Sequence, residues 1–214
     1  MSIPHAVESI IRSDLRIYDT LRMGIVNYKA LARHIRKQVE ALAGESSTEN
    51  AIAMALQLYG LKMRAGQKKH EGYMEIFASS KLQMRDNIAI IYLKSLPELK
   101  GLERGFMVVI KGVESTTLFI DEEKAGKLKI PKESIEGQRK DLTALILTSP
   151  KEIADIPGVV AHLMNALGAN NINLVEVTSS YNTTYLLVDR KDSIEAIQII
   201  RSLIDRSKKS IKVP

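Results

Sequence analysis

Residues 141–204 decide the fold, and they read DLTALILTSPKEIADIPGVVAHLMNALGANNINLVEVTSSYNTTYLLVDRKDSIEAIQIIRSLI. Residues 141–148 and 184–189 are short apolar runs typical of buried strands, and a further strand contains Leu174 and Val177. The segment after residue 191 has apolar side chains at the 3.6-residue spacing of a helix. The order is strand, turn, helix, strand, strand, helix, which predicts an α+β domain.

Pro157 and Gly158 stand where the first helix of this segment should begin. Proline fixes φ at a helix start, where its missing N–H costs nothing. Glycine lets the backbone or a ligand approach closely. The unpaired N–H groups and the helix dipole favour a carboxylate at that end, and Asp155 can accept hydrogen bonds from an ammonium group. A free amino acid carries both groups. The helix itself is predicted to bury Val159, Val160, Leu163, Met164 and Leu167.

Asn170 to Asn173 follow that helix and complete the pattern. The order of elements, the Pro-Gly turn and this asparagine-rich exit together resemble the ACT domain, a family of small regulatory modules that bind amino acids and control enzymes or transcription. ACT domains commonly have Asn-Gly-Ile-Asn at this exit, and Asn171 takes the place of the glycine. Asparagine tolerates the left-handed conformation that the turn requires.

The resemblance implies an α+β fold of ferredoxin-like βαββαβ units. It also implies an effector site at an interface between two ACT units, and therefore a homodimer through these units. Residues 211–213 are expected to add a last strand or to fray. Carried onto this sequence, the family's contact positions are Asp155, Ile156, Gly158, Val159, Asn171, Ile172 and Asn173.

A duplication is indicated by the segment before residue 141. Residues 116–121 read TTLFID and residues 184–189 read TYLLVD, 68 positions apart, whereas the strands that precede them differ by 54 positions. We therefore expect a degenerate ACT-like unit at 73–140 that has lost most of a helix, followed by the ACT domain at 141–214. Leu96-Pro97-Glu98 stands in place of the Pro-Gly turn, so the first unit is expected to be a partner surface and not a sensor.

Residues 1–65 are expected to form a small all-α domain, followed by a polar linker at 66–72. Asn27 is a suitable N-cap for a helix over 28–42. Ser46 and Glu49 have the spacing of a capping box for a second helix over about 47–59, with Gly60 as its stop. The stretch GIVNYKALARHIRK is similar to uncharacterised archaeal ACT-containing proteins described as predicted regulators of amino acid metabolism.

A basic stripe on the 28–42 helix suggests contact with DNA phosphates, as in a helix-turn-helix domain. The following helix, 49–60, contains no arginine or lysine and offers only Asn50 and Gln57 to read base edges. The alternatives of DNA binding and of a protein-interaction or dimerisation module therefore both stand. The stripe consists of Lys29, Arg33, Arg36 and Lys37.

Composition excludes several classes of function. The chain of 214 residues has no cysteine, so it has neither disulfides nor a thiolate metal site. The four histidines are scattered, and no phosphate-binding loop is present. No secretory signal or membrane-spanning run is visible. Residues 1–72 carry 11 basic and 7 acidic side chains, whereas residues 141–214 carry 8 of each, which suggests an anionic partner for the N-terminal end.

These observations favour a cytoplasmic, non-enzymatic regulator without metal or cofactor. It would sense an amino acid or a similar small effector and would control the transcription of amino acid metabolism. The alternative is a regulatory subunit or oligomerisation protein that acts on a metabolic enzyme without binding DNA.

Overall fold

The computed structural model describes residues 1–65, 72–95, 105–128 and 130–211. The chain divides into two compact units, Met1–Glu71 and Gly72–Pro214. The first unit is helical in its described part, and the second is an antiparallel sheet with helices. The predicted α+β class and ferredoxin-like arrangement are confirmed.

Four helices build the N-terminal unit: α1 Ile3–Ser13, α2 Leu15–Met23, α3 Tyr28–Ala43 and α4 Glu49–Ala65. The predicted start of α3 is confirmed, since Asn27 Oδ1 accepts a hydrogen bond of 3.1 Å from the backbone N–H of Ala30. The helices bury one apolar face each in a common core, formed by Ala6, Val7, Ile10, Ile11, Ile17, Leu21, Ala32, Ile35, Val39, Ile52 and Leu56.

Helix α4 differs from the prediction at both ends. Its cap is Thr48, whose Oγ1 accepts a hydrogen bond of 3.2 Å from the N–H of Ala51, and not Ser46. The helix also passes Gly60 and ends at Ala65. Gly60 is buried, and a Cβ there would lie 3.4 Å from the Tyr28 hydroxyl. The glycine therefore serves close packing and not helix termination. The linker predicted at 66–72 lies outside the described residues, except that Gly72 opens the next helix.

The second unit begins with α5 (Gly72–Ser79) and contains a six-stranded antiparallel sheet in the order β2-β3-β1-β4-β6-β5. Its helices are α6 (Glu122–Ala125), α7 (Val159–Gly168) and α8 (Ser193–Ile211). The strands are β1 Lys81–Leu93, β2 Met107–Lys111, β3 Thr116–Asp121, β4 Ile135–Thr148, β5 Leu174–Ser180 and β6 Thr183–Asp189.

The two long strands, β1 and β4, serve both halves of the sheet. Residues 88–93 of β1 pair with β3, whereas residues 81–85 pair with the end of β4. Residues 142–148 of β4 pair in turn with β6. The first part of β1 therefore takes the fourth-strand position beside β4, β6 and β5. A last strand at 211–213 or a frayed end was expected, but α8 runs to Ile211 and residues 212–214 lie outside the described part. The predicted boundary at residue 140 falls within β4.

Paired bulges mark the centre of the sheet. Each long strand carries one non-glycine residue in the left-handed region there, Asn87 with φ 56° and Asp141 with φ 57°. The β1–β4 register shifts on either side of Ile88, so around this residue each strand contains one extra residue. The bulges divide each strand into a half that lies inside the sheet and a half that lies at its edge.

Helices cover the sheet unevenly. The largest cluster joins β4 and β6 to α5, α7 and α8, with Leu145, Leu186 and Ile200 fully buried. A smaller cluster lies under α6 and contains Leu118 and Ile120. The opposite face of the sheet has its own cluster, which includes Ile88, Phe119 and Leu187.

Candidate functional site

The N-terminus of α7 forms one part of the candidate site. Gly158 is the N-cap, with φ 88°, and it has no side chain to cap the helix. Pro157 precedes the cap and lies outside the helix, which differs from the prediction that it would occupy the first turn. The first intrahelical bond runs from the N–H of His162 to the carbonyl of Gly158, 2.9 Å. The N–H groups of the first turn have no intrahelical acceptor and are suited to an anion.

The loop before this end of α7 is held by backbone and apolar contacts. A 3-10 turn spans Lys151–Ala154, and the N–H of Asp155 donates to the carbonyl of Glu152 at 3.0 Å. The Asp155 side chain is exposed. Ile156 is half-buried against α5, since a Cβ at Gly72 would lie 3.2 Å from its Cδ1. The loop thus presents a carboxylate to solvent while its neighbour anchors the backbone.

Val159 and Val160 begin the helix with opposite environments. Val159 is buried in the main cluster of the sheet unit, whereas Val160 is 42% exposed. The prediction that Val160 would be buried is therefore wrong, because it lies on the outer side of the first turn. Leu163 and Leu167 are buried, as predicted, whereas Met164 is only partly buried.

The exit of α7 forms the second part of the candidate site. Asn171 has φ 57°, so the predicted left-handed turn is present. Its N–H donates to the carbonyl of Gly168 at 3.0 Å, and the N–H of Ile172 donates to that of Leu167 at 3.1 Å. These bonds satisfy the last carbonyls of the helix. Ile172 is buried, whereas Asn171 and Asn173 are exposed.

The seven predicted effector residues therefore fall into two groups at opposite ends of α7. The helix has 10 residues, which corresponds to about 15 Å at the α-helical rise. One group contains Asp155, Ile156, Gly158 and Val159, and the other contains Asn171, Ile172 and Asn173. A single amino acid is too short to contact both groups of one α7.

Two surface cavities involve residues that sequence reasoning did not select. The larger, about 440 Å³, is a groove between α7 and α8 that includes Ala166, Asn170, Gln198 and Arg206. The smaller, about 310 Å³, lies near the sheet centre and is lined by Lys140, Asp141, Asp189, Arg190 and Lys191. The small residues Ala166 and Ala169 could have indicated the first groove from the sequence. The second cavity depends on the pairing of β4 with β6, which the sequence alone does not show.

The predicted basic stripe lies on the exposed side of α3. Lys29, Arg33, Arg36 and Lys37 are all exposed. Arg33 Nε donates to Glu49 Oε1 at 3.3 Å, and Arg36 Nε donates to Glu40 Oε1 at 3.0 Å. The backbone N–H of Ser47 and then the Arg36 guanidinium lower the pKa of Glu40. Carboxylates of the same unit thus offset two of the four positive charges.

The outer face of α4 is apolar. Asn50 and Gln57 are exposed, as the reading of base edges would require. Met54, Leu58 and Leu61 are also exposed, at 65%, 55% and 51%. Hydrogen-bonding groups are few on this face, which is typical of a surface that contacts protein and not DNA bases.

No helix within the described ranges is long and apolar enough to cross a membrane. The same part of the chain contains no group of three or more histidine or acidic side chains that could hold a metal ion.

Comparison with known proteins supports the assignment of the C-terminal segment. Residues 139–202 match the model of the family described as the ACT domain. This match confirms the resemblance for that segment, which includes α7, β5, β6 and the first half of α8. No curated protein matches the chain.

Solved structures with similar folds include aspartate kinase from Clostridium acetobutylicum, with 18% identity, a TM-score of 0.43 and 57% of this chain covered. The match spans 34% of that enzyme. The ligand-free regulatory subunit of aspartate kinase from Thermus thermophilus has 18% identity and a TM-score of 0.45, with 57% of this chain and 95% of that subunit covered. A Vibrio cholerae protein of unknown function, described as a possible transport protein, has 16% identity and a TM-score of 0.47, with 64% and 99% covered.

Proposed function

We propose that this protein is a non-enzymatic regulator that senses a free amino acid through its C-terminal ACT unit. The observation that carries the proposal is the N-terminus of α7, where left-handed Gly158 supplies no side-chain cap and Asp155 stands exposed in the preceding loop. A carboxylate would bind the helix end and an ammonium group would bind Asp155.

The second group of predicted contacts would come from another copy. Asn171, Ile172 and Asn173 come directly before β5, and β5 is an edge strand of the sheet. A homodimer that joins two ACT units along these edges would bring the start of β5 of one copy to the α7 N-terminus of the other. The effector would then stabilise that assembly, because a ligand shifts an equilibrium only by its difference in affinity between two states.

Two outputs are compatible with this sensor. Control of transcription would use the α3 stripe, in which Lys29 and Lys37 flank the two arginines. Control of a partner enzyme or of assembly would use an apolar surface of the helical unit. The apolar outer face of α4 favours the second output, and the ion pairs of Arg33 and Arg36 weaken the first.

Effector binding is tested by a thermal-shift screen against the twenty amino acids. A ligand that binds only the native state raises the apparent melting temperature by mass action. Asp155→Ala is expected to abolish a positive shift while leaving the melting temperature without ligand unchanged, because Asp155 is exposed. Glu152→Ala, in the same loop, is the matched control and should retain the shift. Equal behaviour of the two variants would overturn the site.

DNA binding is tested separately by retention on duplex DNA as salt is raised. Phosphate contacts give a steep loss of affinity with salt. If α3 contacts DNA, Lys29→Ala with Lys37→Ala should reduce retention, whereas Lys208→Ala with Lys209→Ala on α8 should not. Absence of retention by the unaltered protein at low salt would remove the transcriptional output and leave the enzyme-directed one.

A further inference from the structure

The smaller surface cavity of the sheet unit contains more positive than negative charge, and we name it the basic cavity. Its volume of about 310 Å³ is near the lower end of the roughly 300–1,000 Å³ typical of small-molecule sites. It therefore suits a small ligand. Three basic and two acidic side chains line it: Lys140, Arg190, Lys191, Asp141 and Asp189.

The carboxylates around the basic cavity do not cancel its positive charge. Asp189 is paired from outside the lining, since Arg139 Nη2 donates to its two oxygens at 2.7 and 2.9 Å. Asp141 lies 3.6 Å from Arg190, and its side chain is 75% exposed. Glu122 is also near, because its Oε1 accepts a 2.7 Å bond from the N–H of Asp141. With Arg139 and Glu122 included, four cations stand against three carboxylates, so a positive charge remains.

Arg190 is anchored through one nitrogen only. Its Nη1 donates to Asn87 Oδ1 at 2.9 Å and lies 3.6 Å from Asp141 Oδ1. Within the residues that the structure describes, Nε and Nη2 of Arg190 have no protein acceptor. These two donors form the fork that matches two oxygens of a phosphate or carboxylate group. The contacts at Nη1 thus hold the guanidinium while leaving its fork available to a ligand.

The two lysines of the basic cavity are unpaired. Lys140 lies in β4, next to left-handed Asp141, and Lys191 lies in the 3-10 turn Arg190–Asp192 that follows β6. Both are exposed, and neither forms an ion pair within the described ranges. Two ammonium groups beside a guanidinium fork favour an anion with more than one negative charge. A phosphate group, with a charge of about −1.5 to −2 at pH 7, meets that need better than a carboxylate.

The fold does not require cations at these places. The other half of the sheet has the same left-handed bulge, at Asn87, and the same aspartate at its strand end, Asp121. The positions that correspond to the three cations, at the offsets of 54 and 68, are all acidic: Asp86, Glu122 and Glu123. Because the same local backbone forms with the opposite charge, the three cations of the C-terminal half are available for another role.

We propose that the basic cavity binds a phosphate group, either as the free ion or on a small phosphorylated molecule. Arg190 would donate from Nε and Nη2 to two phosphate oxygens, and Lys140 and Lys191 would contact the remaining charge. Asp141 would oppose binding, because it is a carboxylate in the same lining. The proposal does not depend on whether the N-terminus of α7 binds an amino acid.

Titration of the full-length protein with inorganic phosphate at constant ionic strength tests the cavity, by calorimetry and by amide NMR shifts of its lining residues. Lys140→Gln with Lys191→Gln should weaken binding by about tenfold, because charge-assisted contacts are lost. The matched control is Lys208→Gln with Lys209→Gln, whose positions lie roughly 20 Å further along α8 by the helical rise. This control pair should leave the affinity unchanged.

Asp141→Asn should instead tighten phosphate binding by about threefold, the size of one exposed charge interaction. Asparagine already occupies the equivalent left-handed position, Asn87 with φ 56°, so the bulge is expected to fold normally. A gain in affinity cannot result from a damaged fold, which makes this variant independent of the lysine variants.

Ribose 5-phosphate distinguishes the two sources of the phosphate group. Tighter binding than that of inorganic phosphate would identify a phosphorylated metabolite, and weaker binding would identify the free ion. Three results would overturn the proposal: no saturable binding of either probe, equal affinities of the two lysine-pair variants, or weaker binding by Asp141→Asn. Urea unfolding of each variant serves as the folding control.

Discussion

The two halves of the sheet share a strand framework but differ in their helices. Strands β3 and β6 lie 68 positions apart in sequence, and both pair antiparallel with the inner half of a long strand. The C-terminal half is covered by α5, α7 and α8. The other half is covered, in its described part, by the four-residue α6 and by Leu128, Ile130 and Ile135. The two groups of predicted effector residues lie at the two ends of α7. The candidate sensor site therefore depends on this helix and not on the strands that the two halves share.

Matched ion pairs support a common origin of the two halves. Arg85 donates to Asp121 at 2.8 and 3.1 Å, and Arg139 donates to Asp189 at 2.7 and 2.9 Å. The arginines are 54 positions apart and the aspartates 68, which are the offsets found between the strands themselves. Asn87 and Asp141, the two left-handed bulge residues, also differ by 54. Side chains outside the apolar repeat therefore show the same sequence offsets as the strands.

The largest expected effect comes from equivalent core leucines in the two halves. Leu186 and Leu118 are both fully buried, but Leu186 packs in the larger cluster under three helices. Truncation of a buried leucine costs ~2–5 kcal/mol, and the cost is higher where the surroundings cannot collapse. We expect Leu186→Ala to cost about 4 kcal/mol and Leu118→Ala about 2 kcal/mol, measured by urea unfolding.

The control for this comparison is the urea dependence of the unfolding free energy, which should be the same for both variants if the sheet unfolds as one body. A larger cost for Leu118→Ala than for Leu186→Ala would contradict the view that the short α6 leaves the first half less tightly packed.

The bulges give the next largest effect. A β-branched residue in the left-handed region is strained by roughly 1–2 kcal/mol. Asn87→Val and Asp141→Val should each lose about that much stability in thermal or urea unfolding. Glycine at either position tolerates this conformation and is the matched control. Asn87→Gly should still lose a few tenths of a kcal/mol, about the value of an exposed polar contact, because Asn87 Oδ1 accepts a 2.9 Å bond from Arg190. Unequal costs for the two valine variants would argue against equivalent bulges.

Local patterns predicted the elements of this protein well. The cap at Asn27, the helix of the basic stripe and the left-handed turn at Asn171 each depend on a few neighbouring residues, and each is present in the structure. The strand–helix order of residues 141–204 also sufficed to predict the ferredoxin-like arrangement. Such features follow from backbone preferences and from apolar periodicity, which act within one or two turns of chain.

Long-range pairing could not be predicted in the same way. The fourth-strand position is filled by residues 81–85, whose side chains are mostly exposed and have no apolar run to indicate a strand. Gly60 lies inside α4 and close to Tyr28, a contact between residues far apart in sequence that the glycine alone does not reveal. The predicted helix already separated the two effector groups in sequence, but the resemblance does not say which copy supplies each group.

The smallest expected effect concerns the hydrogen bond that links the two halves across the sheet. Tyr92 on β1 donates to Glu176 on β5 at 3.0 Å, and burial followed by this bond raises the pKa of Tyr92 above its usual value of 10.0. In the folded state Tyr92 therefore keeps its proton at a pH where the unfolded chain loses it. The contribution of Tyr92 to the free energy of unfolding is full below pH 10 and falls as pH rises through 10 toward the raised pKa.

Tyr92→Phe should cost about 1 kcal/mol at pH 7, because the substitution removes the hydrogen bond. It should also lose less stability than the unaltered protein between pH 9 and pH 11, measured by urea unfolding at each pH. Tyr181→Phe, at an exposed tyrosine, is the control and should follow the unaltered protein. Parallel pH profiles for Tyr92→Phe and the unaltered protein would show that the two halves are not linked through this proton.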